Sequence, residues 1–289
     1  MKDHKAKTKT WLYCGKITGG VLLGWSFWFC LLIIALRWIN PPFTAFVLQE
    51  DWDSLGKERY SFRGTWIPDD ELPDHLKLAV IASEDQNFNK HWGLDLAAIE
   101  KAVEENQQGR RIRGASTITQ QVAKNLFLSS SQNYLRKGIE AVIAVLIDAF
   151  WSKERILEVY LNIAEFGPGM YGIAVATDFY YGKPASELTP KEAARMVTVL
   201  PNPKLIEPEP PSEYVLNRSD WILRNMEQLS GLRFLPKKDT LTNISSIASD
   251  SLENVELMIL NDSIDLDSLY LFKPDSILAD STADTLGLR

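Results

Sequence analysis

The sequence predicts a mainly α protein whose folded domain is preceded by one transmembrane helix. Three observations predict it. Residues 17–36 form a run of 20 uncharged side chains between Lys16 and Arg37. From Leu72 onward, apolar residues recur every three or four positions, the period of a helix with one buried face. Strand signals, with their alternation of period two, are few.

Each element has its own signal. Residues 1–16 carry five Lys and one Asp and read as a basic cytoplasmic N-terminus. At about 1.5 Å per residue, the uncharged run spans roughly 30 Å, the thickness of a bilayer's hydrocarbon. We place the transmembrane helix at 17–38, with Trp25, Trp28 and Trp38 as interfacial anchors. A cleaved signal peptide fits less well, because the run is long and no Ala-x-Ala site follows it. Residues 39–70, with Pro41-Pro42, read as a linker or stalk.

Helices follow at 72–84, 94–105, 116–127, 133–151, 153–163 and 171–181. In the first of them Leu76, Ala79, Val80 and Ser83 share a face that leads to Glu84. Thr189-Pro190-Lys191-Glu192 opens another helix, with Thr as N-cap, Pro at the first position and Glu closing a capping box. A last helix is predicted over about 212–229, after a Pro-rich linker. The folded domain is placed at 71–230 and an acidic tail at 231–289.

The net charge of −7 is a sum of unlike parts. Residues 106–139 hold six basic side chains and no acidic one, whereas 237–289 hold four basic and ten acidic. The Lys-rich flank before the apolar run keeps that end cytoplasmic by the positive-inside rule and puts the domain outside. Only Cys14 and Cys30 exist, both in or beside the anchor, and His4, His75 and His91 are scattered. Neither a disulfide framework nor a zinc site follows, so no metal ligand set is assigned.

Four segments carry chemistry. In Glu84-Asp85-Gln86-Asn87-Phe88-Asn89-Lys90-His91-Trp92-Gly93, two carboxylates end an apolar helix. Partial desolvation there suits one of them to acid/base work; solvated helix-end charges with His91 as a cap are the alternative. In the second segment, Arg113-Gly114-Ala115-Ser116 leads into a helix with Thr117, Gln120, Gln121 and Lys124 on one side and Ile118, Val122 and Leu126 on the other. A helix N-terminus so dressed suits a phosphate or sugar, or is a solvated face.

The third segment, Arg136-Lys137-Gly138-Ile139-Glu140, contains an i,i+4 pair worth about 0.3–0.5 kcal/mol if exposed. With Arg110, Arg111, Arg113 and Lys124 it also makes a strong anion receptor. Nucleic acid is disfavoured by the anchor and the overall charge; a phosphate-bearing lipid at the bilayer fits better. In the fourth, running from Lys153 to Gly167, Ile156, Val159, Tyr160 and Ile163 form a core stripe and Asn162 reads as a buried hydrogen-bonding residue.

In this order, the four segments resemble the signature of glycosyltransferase family 51, in its monofunctional biosynthetic form. Glu-Asp-x-x-Phe-x-x-His-x-Gly is met by Glu84, Asp85, Phe88, His91 and Gly93. Gly-x-Ser-Thr-Ile-Thr-Gln-Gln-x-x-Lys-Asn is met from Gly114 to Asn125, with Ala115 where Gly is common. Arg-Lys-x-x-Glu is met by Arg136, Lys137 and Glu140, and Lys-x-x-Ile-Leu-Glu-x-Tyr-Leu-Asn from Lys153 through Tyr160 to Asn162. A looser fifth motif lies between Glu192 and Pro201. The resemblance covers about residues 70–230.

The resemblance implies a lysozyme-like α fold, with a head lobe and a smaller membrane-proximal jaw lobe. It implies polymerisation of lipid II into glycan strands, with inversion at the anomeric carbon and release of undecaprenyl pyrophosphate. By the same resemblance Glu84 is the general base, and Glu140 helps place the leaving pyrophosphate or a divalent ion. Arg113, Ser116, Thr117, Gln120, Gln121, Lys124, Arg136 and Lys137 hold pyrophosphate and sugars. Asp85, Phe88, His91, Gly93, Gly114, Lys153, Tyr160 and Asn162 support them.

No cofactor is assigned, and the resemblance leaves room for a divalent cation such as Mg2+. The implied partners are lipid II, the growing strand and the membrane. Other cell-wall synthesis or division proteins are left open. The implied location is the bacterial inner membrane, single-pass, with the catalytic domain periplasmic. Two rivals stand beside this reading: a glycan-cleaving enzyme on the same fold, and a non-catalytic scaffold. The basic stretch argues against the first, and Glu84 with Glu140 against the second.

Overall fold

The computed structural model describes residues 2–53, 65–107, 116–129, 131 and 133–234. The acidic tail beyond 234 and the segment holding Arg110, Arg111, Arg113 and Gly114 lie outside the described residues. The described part is helical, apart from one small hairpin. Its helices are α1 (Lys2–Ala35), α2 (Ala45–Asp53), α3 (Asp74–Glu84), α4 (Leu96–Gln107), α5 (Ile118–Phe127), α6 (Tyr134–Phe150) and α7 (Lys153–Ile163). The antiparallel strands β1 (Glu165–Gly167) and β2 (Met170–Tyr171) follow, then α8 (Ile173–Tyr181), α9 (Pro190–Val197) and α10 (Glu213–Ser230).

Three differences from the sequence reading have physical causes. First, α1 is longer than the apolar run, because Lys and Ala are good helix formers and hydropathy marks the membrane's bounds, not the helix's. Second, the stalk contains α2: Thr44 accepts the Val47 N–H at 3.1 Å and starts a helix just after Pro41-Pro42. Third, Tyr171 belongs to β2 instead of opening α8. Strands of three and two residues are too short to show a period in sequence.

The core lies where amphipathic faces meet. α5 packs against α6 and α7, and α3 against α9 and α10. Leu76, Ala79 and Val80 of α3, Ile118 and Val122 of α5, and Ile156, Val159 and Ile163 of α7 are fully buried. Both capping boxes close. Thr117 accepts the Gln120 N–H while Gln120 accepts the Thr117 N–H, and Thr189 with Glu192 does the same for α9. Each cap contributes about 1 kcal/mol.

The apolar helix is tied to the domain at one end. Within α1, residues Thr18–Ala35 are long and apolar enough to cross a membrane. Trp25 and Trp28 are about three-quarters exposed, whereas Ile33 and Leu36 are buried against the domain. Carbonyls of the helix's last turn and just past it are taken up by donors at and after the end of α6. Arg155 donates to the carbonyls of Leu36 and Ile39 at 3.1 Å each, and the Trp151 indole donates to the Ile33 carbonyl at 2.8 Å. Arg37 returns a bond to the Phe150 carbonyl at 3.0 Å. These bonds satisfy groups that a helix C-terminus otherwise leaves orphaned.

Candidate active site

Glu84 ends α3 and faces α5, so its carboxylate stands at the junction of two buried helices. Gln121 on α5 donates to Glu84 Oε2 at 3.1 Å, and the Ser83 hydroxyl donates to Oε1 at 3.0 Å. Behind Gln121, the Tyr160 hydroxyl donates to the amide oxygen at 3.0 Å. Tyr160 is almost fully buried, and burial first, the Glu84 carboxylate second, pushes its phenol well above its ordinary value. Tyr160 therefore stays a neutral donor and fixes which way the Gln121 amide points.

The loop after Glu84 is braced from below. His91 Nε2 donates to both oxygens of Asp85 at 2.9 Å, and Asp85 also accepts the Ile118 N–H at 3.1 Å. A carboxylate at the first turn of α5 complements that helix's dipole. Gly93 has φ +75, and a Cβ there would sit 2.7 Å from the Ala144 carbonyl oxygen. Only glycine lets the loop lie against α6. The Gly93 carbonyl accepts the Thr117 hydroxyl at 2.6 Å, and its N–H donates to Asp148 at 2.7 Å.

Asp148 carries more than the sequence reading gave it. It also accepts from Thr119 at 3.2 Å and from Lys153 at 2.8 Å. Lys153 in turn lies 4.4 Å from the Phe88 ring centroid and donates to the His91 carbonyl at 3.0 Å. Asp148 thus joins the Glu84 loop to α5 and α7. The signal for it was faint: a single carboxylate at the end of an apolar helix run.

The cationic side of the site lies further along α5 and on the start of α6. Lys137 donates to Ser116 Oγ at 2.8 Å and forms an ion pair with Glu140. Arg136 pairs with the other oxygen of Glu140 at 2.8 Å. Glu140 is only 2% exposed, so its carboxylate is buried beneath two cations, Arg136 partly covered and Lys137 reaching solvent, and this is not the surface i,i+4 pair that spacing alone allows. Lys124 lies one turn beyond Gln121 and stands over the Phe46 ring at 5.3 Å. Burial is the first cause holding its ammonium below the ordinary lysine value; Glu140 opposes this, and Arg136 and Lys137 add to it. Four charged groups therefore share one neighbourhood.

Two candidates change role. Thr117 and Gln120 were placed among the substrate-holding residues, but both are buried and both are used by the α5 capping box. Their side chains are thus engaged in the scaffold, although Thr117 also lines the cleft beside Glu84. Asn162 is equally internal: it accepts the Ile67 N–H and donates to the Ile67 and Glu158 carbonyls, each at 2.8 Å. It pins the segment entering α3. Arg113 and Gly114 lie outside the described residues.

A cleft of about 350 Å³ opens beside the Glu84 carboxylate. Ser83, Gln86, Lys101, Ser116 and Trp221 are among the residues that line it. A base at its edge, with fixed cations on α5 and at the start of α6, is equipped for displacement of an anionic leaving group.

Comparison with known proteins agrees with that geometry. The family described as Transglycosylase matches residues 52–227. The biosynthetic peptidoglycan transglycosylase of Ectopseudomonas mendocina is 47% identical over 219 residues, covering 74% of this chain and 90% of that protein. The protein of the same name from Pseudomonas putida W619 is 47% identical over 218 residues, covering 74% and 92%. That from Stutzerimonas stutzeri is 47% identical over 208 residues, covering 72% and 86%. The match takes in every described segment of the site, and the chain belongs to the transglycosylase family, with its lysozyme-like helical domain.

Proposed function

We propose that this chain is a membrane-anchored peptidoglycan glycosyltransferase that polymerises lipid II into glycan strands. The observation that carries the reading is the shared helix α5. It holds Gln121 on the Glu84 carboxylate and, one turn on, Lys124 beside Arg136 and Lys137.

The mechanism follows from that arrangement. Glu84 takes the proton of the acceptor's 4-hydroxyl as its oxygen attacks C1 of the donor sugar. The bond from C1 to the phosphate oxygen breaks on the opposite face, so the configuration inverts. Negative charge grows on the departing undecaprenyl pyrophosphate, and Lys124, Arg136 and Lys137 supply fixed positive charge there. Lys124 makes no ion pair within contact distance among the described residues, Glu140 and Glu165 acting on it at longer range, which leaves its ammonium free to meet a ligand. Glu140 orients Arg136 and Lys137. Positioned general-base catalysis contributes about 10²–10⁴-fold.

No step passes through a divalent cation. Both oxygens of Glu140 are engaged by Arg136 and Lys137, and no group of three or more metal-binding side chains occurs among the described residues.

The apolar stretch of α1 supports anchoring, and the Lys-rich N-terminus supports a cytoplasmic start with the domain on the periplasmic side of the inner membrane. Exposed Tyr134, Leu135, Ile139 and Val142 on α6 give a further apolar surface suited to the bilayer. Other cell-wall synthesis or division proteins are candidate partners on the family's account alone.

The test uses the full chain in detergent with labelled lipid II. Polymer should form, with one undecaprenyl pyrophosphate released per linkage. Cleavage of finished glycan without consumption of lipid II would overturn the reading in favour of a hydrolase.

A further inference from the structure

We infer that Arg218, on the last helix of the domain, is a positioning residue for the Glu84 base, acting through the hydroxyl of Ser83. The inference rests on the proposed role of Glu84 and goes beyond it, because α10 lies outside the four motifs.

Two contacts point one way. The Arg218 guanidinium donates to Ser83 Oγ at 3.4 Å, and Ser83 Oγ donates to Glu84 Oε1 at 3.0 Å. An arginine cannot accept, and an ionised carboxylate cannot donate. With Arg218 donating to its oxygen, the serine proton is directed at Glu84. Without that donor the hydroxyl is free to rotate toward other acceptors.

The guanidinium is itself held in place. It stacks on the Trp221 ring at 4.2 Å, one turn further along α10, and Trp221 lines the cleft. Asn225, one more turn on, accepts from Gln86 at 3.0 Å and ties α10 to the loop after Glu84. α10 also packs along α3, the helix that ends in Glu84.

The two oxygens of the base are thereby held from opposite sides. Gln121, backed by Tyr160, holds Oε2, and Ser83, backed by Arg218, holds Oε1. Both arms donate to the ionised form. They orient the carboxylate and leave its remaining lone pairs for the acceptor hydroxyl.

The experiment is a pH profile of kcat/KM for lipid II polymerisation by the full chain in detergent. Wild type, Arg218→Met, Arg218→Lys, Ser83→Ala and the Met/Ala double variant are compared. Loss of either link removes donation to the charged form, so the acid limb should move to higher pH, read as about a tenfold loss of kcat/KM at pH values on that limb. The double variant should shift no further than Ser83→Ala alone, since both act on one bond. Arg218→Lys keeps a donor and should recover part of the shift.

A uniform loss of rate at all pH values, with the limb unmoved, would overturn the relay and leave Arg218 as packing. Additive shifts in the double variant would overturn it too. Glu84→Gln in the same series separates the two claims. If that variant keeps wild-type activity the base assignment fails. If it is inactive while the limb stays unmoved in the Arg218 and Ser83 variants, only the relay fails.

Discussion

Replacing Asp148 with Ala should destabilise the domain more than any surface substitution, and the structure sets the size. The side chain is 5% exposed and accepts from Lys153, the Gly93 N–H and the Thr119 hydroxyl. Alanine would leave a buried N–H and a lysine without their acceptor. Breaking a buried ion pair costs about 3–5 kcal/mol. Lys153 is 24% exposed and keeps the His91 carbonyl and the Phe88 ring, so the lower end applies, about 3 kcal/mol. For a domain of this size each kcal/mol lowers Tm by about 2–4 °C, giving a fall of roughly 6–12 °C. Asp148→Asn keeps an acceptor for Gly93 and should lose about half as much. Thermal unfolding followed by near-UV circular dichroism, on the full chain in detergent, reads both. A loss below about 1 kcal/mol in Asp148→Ala would refute the claim that this carboxylate ties the Glu84 loop to α5 and α7.

Other outcomes follow from single residues. Gly93→Ala should fail to fold stably or lose several degrees in Tm, because its Cβ meets backbone of α6 and its φ is positive. Lys124→Arg should move the alkaline limb of the polymerisation rate upward, since burial holds Lys124 below the ordinary lysine value and its charge is lost first as pH rises; an unmoved limb would assign that limb elsewhere. Tyr160 has a folded-state value raised above its unfolded one. Its neutral form is therefore favoured by folding, and stability present below about pH 10 is lost as pH rises beyond it. Tyr160→Phe should flatten the alkaline fall of unfolding free energy in denaturant melts above that pH. A fall as steep as in wild type would assign it to other groups.

Much of the helical order was legible because it is local. The Thr189–Glu192 capping box, the Leu76–Ala79–Val80 face and the bounds of α7 are set by side chains within one or two turns. Glu84 and the cations of α5 and α6 were legible as motif residues. What they touch was not. Gln121 meets Glu84 across 37 positions, Gly93 meets Asp148 across 55, and Arg218 meets Ser83 across 135. No periodicity reports such pairs.

Thr117 and Gln120 show what a polar helix face hides. Both looked like a polar face with Gln121 and Lys124, yet the helix start consumed them in hydrogen bonds to itself and to Gly93. Helix α2 was hidden for a similar reason: its Thr44 cap follows two prolines and a stretch read as extended. Glu140 read as half of an i,i+4 pair, and only the structure shows that its carboxylate is buried between Arg136 and Lys137.

The most direct measurement is the rate of lipid II polymerisation by Glu84→Gln beside wild type, with lipid II binding measured on the same preparations. The amide keeps the shape of the carboxylate and cannot take the acceptor's proton. A rate lower by about 10²–10⁴-fold, with binding retained, is the expected result. Equal polymer from the two proteins would contradict the account at its centre, because another group would then have to act as the base.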